Sequence, residues 1–124
     1  MNNYIEDYLI FLTLKSTPIR DTVEKSVEHW FPESPPTILL FSQVGKALAA
    51  QLFSLSNAEK LVFFQHIEVG MCSEKEGLAT AVATGLVESL VTASDENVEL
   101  WEEIERCLRP ESKKHAMAWK NFGQ

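Results

Sequence analysis

Three histidines, two cysteines and eighteen carboxylates are the side chains with which this 124-residue chain could do acid–base, metal or nucleophilic chemistry. Their spacing withholds most of it. There is no CxxC, no HExxH and no carboxylate loop with EF-hand spacing, the patterns that gather ligands around an ion. Glu111 and His115 stand at i, i+4 and could share a metal, but a helix-stabilising hydrogen bond between them is the simpler expectation. The five glycines stand at 45, 70, 77, 85 and 123, so neither a phosphate loop nor G-x-G-x-x-G can be written. Cys72 and Cys107 each fall among apolar helix positions, where a free Cys behaves as a small hydrophobe. Two thiols so far apart in the chain read as buried and unbridged. His29, beside Trp30 near a helix end, reads as a partly exposed imidazole favoured by the helix dipole. His66 shares a polar face with Gln65 and is expected in solvent, and His115 is expected at the inner edge of the last helix against Trp119. The reading therefore assigns no catalytic residue, no metal ligand and no cofactor, and an enzyme ranks behind a binding protein.

Charge order departs from a random scatter. Residues 68–105 hold ten carboxylates, Glu68, Glu74, Glu76, Glu88, Asp95, Glu96, Glu99, Glu102, Glu103 and Glu105, against the single base Lys75. Residues 106–124 reverse the sign, with Arg106, Arg109, Lys113, Lys114 and Lys120 against Glu111. Helix ends account for part of this, since carboxylates favour N-termini and bases favour C-termini by about 0.3–1 kcal/mol each. They do not account for Glu102, Glu103 and Glu105, which add like charge past the middle of a helix. A concentrated acidic surface repels itself and steers a basic partner. Glu74, Glu76, Asp95, Glu96, Glu99, Glu102, Glu103 and Glu105 are thus the expected partner-binding residues. Lysines interleaved with Trp119 and Phe122 near the end read instead as core aromatics beside a solvated basic face.

The elements that must position these residues read as helices throughout. Asn3 with Glu6 makes a possible capping box, ahead of Tyr4, Tyr8, Phe11 and Leu12 at helical spacing. Thr17-Pro18 reads as a cap followed by proline at the first helical position, opening the row Ile19, Val23, Val27, Trp30. After the proline-rich break at 32–36, Ser34-Pro35 can restart a helix bearing Ile38, Phe41, Val44, Leu48, Leu52 and Leu55 on one face. Ser56 and Glu59 form a capping box before Leu61, Phe64, Ile67 and Met71. Ser73 and Glu76 form another. In the helix it opens, Leu78, Val82, Leu86 and Leu90 make a row of large aliphatics. Gly77, Ala81, Gly85, Ser89 and Ala93 make the adjacent row of small residues, which lets a neighbouring backbone approach closely. That helix should be central and buried. Ser94-Asp95 is expected to cap a helix with Val98, Trp101, Ile104 and Leu108 inward. After Arg109-Pro110 a last helix should turn His115, Ala118, Trp119 and Phe122 inward and end at Gly123 as its C-cap.

The expected fold is all-α: one compact domain, residues 1–124, of about seven helices in antiparallel hairpins. Hydrophobic residues at 45% and charged residues at 23% match ordinary folded chains, and a chain this long buries enough surface to need no metal or disulfide. A net charge of −7 argues against general nucleic-acid binding, which needs a basic footprint. The acidic start Met1-Asn-Asn-Tyr-Ile-Glu-Asp lacks the basic opening of a signal peptide. The longest weakly polar run, 78–87, falls short of the ~20 residues that span a bilayer. A cytoplasmic protein without a membrane partner is the expectation.

The ending Leu-Arg-Pro-Glu-Ser-Lys-Lys-His-Ala-Met-Ala-Trp-Lys-Asn-Phe, residues 108–122, resembles the close of a family of small helical bacterial proteins of unassigned function. In size, acidity and helical content the chain also resembles the immunity proteins of contact-dependent growth inhibition and related toxin systems. That second resemblance implies a cytoplasmic protein that binds a toxin domain, often a basic nuclease, and blocks it. Immunity proteins differ greatly in fold, so it carries over no binding residue. The expected function is therefore toxin neutralisation by occlusion of the toxin's active site, with an adaptor or structural subunit of a bacterial assembly as the alternative.

Overall fold

A computed structural model of the chain describes residues 2–122. Within them lie seven helices and no strand: α1 Asn3–Lys15, α2 Thr17–Trp30, α3 Thr37–Gln51, α4 Asn57–Met71, α5 over 76–93, α6 Val98–Cys107 and α7 Pro110–Asn121. A single 3-10 turn, Leu52–Ser54, extends α3. The middle of α5, Ala81–Val87, widens to π-helical hydrogen bonding. The all-α expectation and the number of helices hold.

Helices α3 and α5 are the central pair, and the small-residue row is the reason. A Cβ on Gly85 would stand 2.7 Å from Phe41 Cβ and 2.8 Å from the Ile38 carbonyl oxygen. Gly45 faces Ser89 and the Leu86 carbonyl just as closely, at 2.6 Å from the latter. The Ser42 hydroxyl donates to the Gly85 carbonyl at 3.4 Å. Two backbones can meet this closely only where side chains are missing. Around this seam α1, α2, α4 and α7 close one core, whose largest fully buried side chains include Phe41, Phe63 and Phe64.

Several local expectations are displaced by the observed caps. Helix α1 begins at Asn3, so the Asn3–Glu6 box does not form. Ser16, not Thr17, caps α2 by accepting from the Ile19 N–H at 3.2 Å. Helix α3 begins at Thr37 rather than behind Ser34-Pro35. The Ser56–Glu59 capping box is present in both directions. Ser73 instead closes a short turn onto the Lys75 N–H at 3.0 Å, and α5 starts at Glu76. Ser94 bonds back to the Val91 carbonyl at 2.8 Å. Asn97 caps α6 through the Leu100 N–H at 3.0 Å.

That last shift turns α6 relative to expectation. Leu100, Ile104 and Leu108 face the core, while Val98 is 71% exposed. In α4 the core contacts are Phe63, Phe64 and Ile67, and Leu61 stands in solvent. Val27 and Ile38 are also partly in solvent, at 41% and 43% exposed. In α7 the buried positions are Ser112 and Ala116, which lets this helix lie close on its neighbours. Ala118, Trp119 and Phe122 are exposed, and the two aromatic rings stack on each other with centroids 5.9 Å apart. Gly123 lies outside the described residues.

Candidate functional site

The eight carboxylates expected to form one surface fall into three groups. Glu74 and Glu76 are exposed where α5 begins. Asp95 and Glu96 are exposed in the turn beyond the other end of α5, roughly 25 Å away along a helix of this length. The expected continuity between the two pairs is therefore absent. Glu99 and Glu102 are exposed on α6 next to that turn, and Glu105 is half-buried one turn further on. None of Asp95, Glu96, Glu99 and Glu102 has an ion pair among the described residues. Val98 stands among these four, on the same helical row as Glu102 and Glu105. Sequence periodicity placed Val98 inside with Ser94-Asp95 as the cap; Asn97 is as good an N-cap as either, and it is the one the helix uses.

Glu103 is not part of a free surface. Its Oε2 accepts from Lys60 Nζ at 2.7 Å, and Arg106 bonds both carboxylate oxygens from the next turn. The Arg106 and Lys60 hydrogen bonds hold the Glu103 carboxyl down at about 2, and the same contact raises the Arg106 guanidinium. Glu103 joins α6 to α4. Two other members of the acidic run also act internally. The Glu68 carboxylate caps the N-terminus of α7, accepting from the Glu111 N–H at 2.8 Å and the Ser112 N–H at 2.9 Å. Glu88 lies 2.8 Å from His115 Nε2, so His115 bonds to α5 rather than to Glu111 on its own helix.

His66 differs most from expectation among the histidines. Its ring lies between those of Tyr8 and Phe11, 4.0 Å from each centroid. Nε2 donates to the Tyr8 carbonyl at 3.0 Å, and the Tyr8 hydroxyl donates to the His66 carbonyl at 3.2 Å. Burial, outweighing the hydrogen bond to Tyr8, lowers the His66 imidazole, and the Lys15 charge adds to this. His29 is exposed, edge-on to Trp30. The thiols are free but not both buried: Cys72 is exposed and Cys107 is half-buried. Burial and then the Glu103 charge raise the Cys107 thiol. Among the described residues no three His, Cys, Asp or Glu side chains gather at metal-binding range. No helix among them is long and apolar enough to cross a membrane.

Comparison with protein-family models, with curated proteins and with solved structures found no match. What the surface can do must be read from its own geometry. Asp95, Glu96, Glu99 and Glu102 are exposed anionic hydrogen-bond acceptors on either side of exposed Val98 in the chain. Exposed carboxylates of this kind accept charge-assisted hydrogen bonds from cationic groups.

Proposed function

We propose that this chain is a toxin-neutralising immunity protein: a non-catalytic cytoplasmic binder that docks the acidic end of α6 on a basic toxin domain of nuclease type and occludes its active site. The observation that carries this reading is the grouping of Asp95, Glu96, Glu99 and Glu102, exposed and unpaired among the described residues, around exposed Val98. Unpaired like charges repel one another, and a cationic partner relieves that repulsion while being steered by it. Val98 supplies the apolar centre and the carboxylates the polar rim, the usual anatomy of a specific interface. A nuclease groove is built to receive phosphates, so clustered carboxylates can occupy the same field. Glu103 supports the helix rather than the contact, and Glu74 and Glu76 act on the approaching partner only through the longer-range field.

The alternative, an adaptor subunit, draws support from a different surface. An open groove beside the end of α2 is lined by Val23, Val27 and Phe31 with Glu24 and Glu28 at its edge. The test that separates the two uses the C-terminal domain of the protein encoded directly upstream. Co-expression should restore growth to cells poisoned by that domain, and the two should co-purify. Glu99→Lys with Glu102→Lys should abolish both effects, while Lys113→Glu with Lys114→Glu should leave them. An upstream domain that is neither toxic nor bound would end the immunity reading.

A further inference from the structure

A second cavity, of about 270 Å³, lies between α2 and α3 and is lined by Thr22, Lys25, Ser26, His29 and Gln43. The four α2 residues follow i, i+3, i+4, i+7 spacing and so share one face. Two polar atoms of this wall are unusual. Ser26 Oγ and Gln43 Oε1 are buried without a hydrogen-bond partner, and Ser26 as a whole is 5% exposed. Buried polar atoms in folded proteins are nearly always satisfied, and an orphan calls for a physical reason. Here both residues with orphan atoms line one cavity, which Lys25 and His29 also line.

The geometry points to a binding site for an oxyanion that also carries a hydroxyl, of which hydrogen phosphate is the simplest. The Ser26 hydroxyl, the Lys25 ammonium and the His29 N–H donate to anionic oxygens. Gln43 Oε1 can only accept, and a ligand O–H is a donor that would satisfy it. General charge does not supply the attraction. The chain is −7 overall, and Asp21, Glu24 and Glu28 share α2 with the site. This site is separate from the acidic end of α6 and stands or falls independently of it.

Titration with inorganic phosphate and, in parallel, with sulfate, followed by amide NMR shifts, tests the assignment. Phosphate should give saturable shifts confined to α2 around residues 22–29 and to Gln43, with a Kd on the order of 1 mM. Sulfate has no O–H at neutral pH and should bind about tenfold more weakly. Lys25→Gln should weaken phosphate about tenfold, and Lys25→Arg should restore most of it. Gln43→Met should erase the preference for phosphate over sulfate. Ser26→Ala should weaken phosphate without lowering the melting temperature, since it removes an unsatisfied hydroxyl. Shifts that do not saturate, that spread over all surface lysines, or that are equal for phosphate and sulfate would overturn the assignment.

Discussion

Lys60 on α4 and Glu103 on α6 meet with Nζ 2.7 Å from Oε2, and their side chains are only 11% and 15% exposed. A carboxylate in the middle of an acidic helix is thus a tie between helices, with Arg106 closing it from the solvent side. Glu103→Gln should cost about 1.5–3 kcal/mol, the range for hydrogen bonds to charged groups. The sign of its pH dependence follows from its low carboxyl. In the unfolded chain Glu103 takes up its proton near the usual 4.5, in the folded chain near 2. The tie contributes fully above 4.5 and is lost as pH falls from there through 2. Denaturant melts across that window should fall less steeply for Glu103→Gln than for the parent chain.

The α3–α5 seam predicts a second loss. Gly85→Leu must force Phe41 and the Ile38 backbone aside, and overpacking of this kind costs about 1–3 kcal/mol. The thermal midpoint should fall while the helical circular-dichroism spectrum is kept. An unchanged midpoint would mean that the seam yields where the close contacts at Gly85 leave no room.

This seam was legible in the sequence because Ala81, Gly85 and Ser89 stand at i, i+4 spacing and permit close backbone approach, while Gly77 and Ala93 at the ends of the same row are exposed. The Ser56 cap was legible because both of its bonds are local. The register of α6 was not. Residues 98–108 carry two overlapping apolar rows, and only the Asn97 cap decides between Val98 and Leu100. His66 and Glu68 escaped for another reason. Their partners are 58 and 43–44 residues away, and nothing local marks a side chain that will be sandwiched or will cap a distant helix. The exposed acidic group at 95–102 was legible as charge, but which carboxylates were already committed to Lys60, His115 and α7 was not.

The Tyr8–His66–Phe11 stack predicts a pH effect of its own. Because burial lowers the folded imidazole below its ordinary 6.5, the unfolded chain binds the proton first as pH drops. Stability should be full above 6.5 and decline as pH falls below it toward the folded value. His66→Phe keeps a ring between Tyr8 and Phe11 but cannot take a proton. It should lose the hydrogen bond to Tyr8, and its thermal midpoint should change less than the parent's between about pH 7 and about pH 5.5.

The two thiols should react unequally. Cys72 is exposed, whereas Cys107 is half-buried with its thiol raised and its Sγ 3.7 Å from Glu103 Oε2. Thiolate, not thiol, is the nucleophile. Iodoacetamide at about pH 8, read by mass spectrometry, should label Cys72 in the native chain and Cys107 only after unfolding. Replacing both with Ala should leave partner binding intact.

The central claim is that the exposed acidic end of α6 is the docking surface. It is tested most directly by the association rate with the upstream-encoded C-terminal domain, for the parent chain and for Glu99→Lys with Glu102→Lys. Both carboxylates are exposed and outside the Lys60–Glu103–Arg106 tie, so this pair should stay folded, destabilised only by the roughly 0.3–1 kcal/mol with which Glu99 favours the N-terminus of α6. At low salt the variant should associate at least about tenfold more slowly, and the gap should narrow as salt rises past ~0.15 M, where the screening length is about 8 Å. Lys113→Glu with Lys114→Glu, on the exposed face of α7, is the control and should change the rate little. Equal association rates for the acidic-end variant and the parent chain at low salt would contradict the claim.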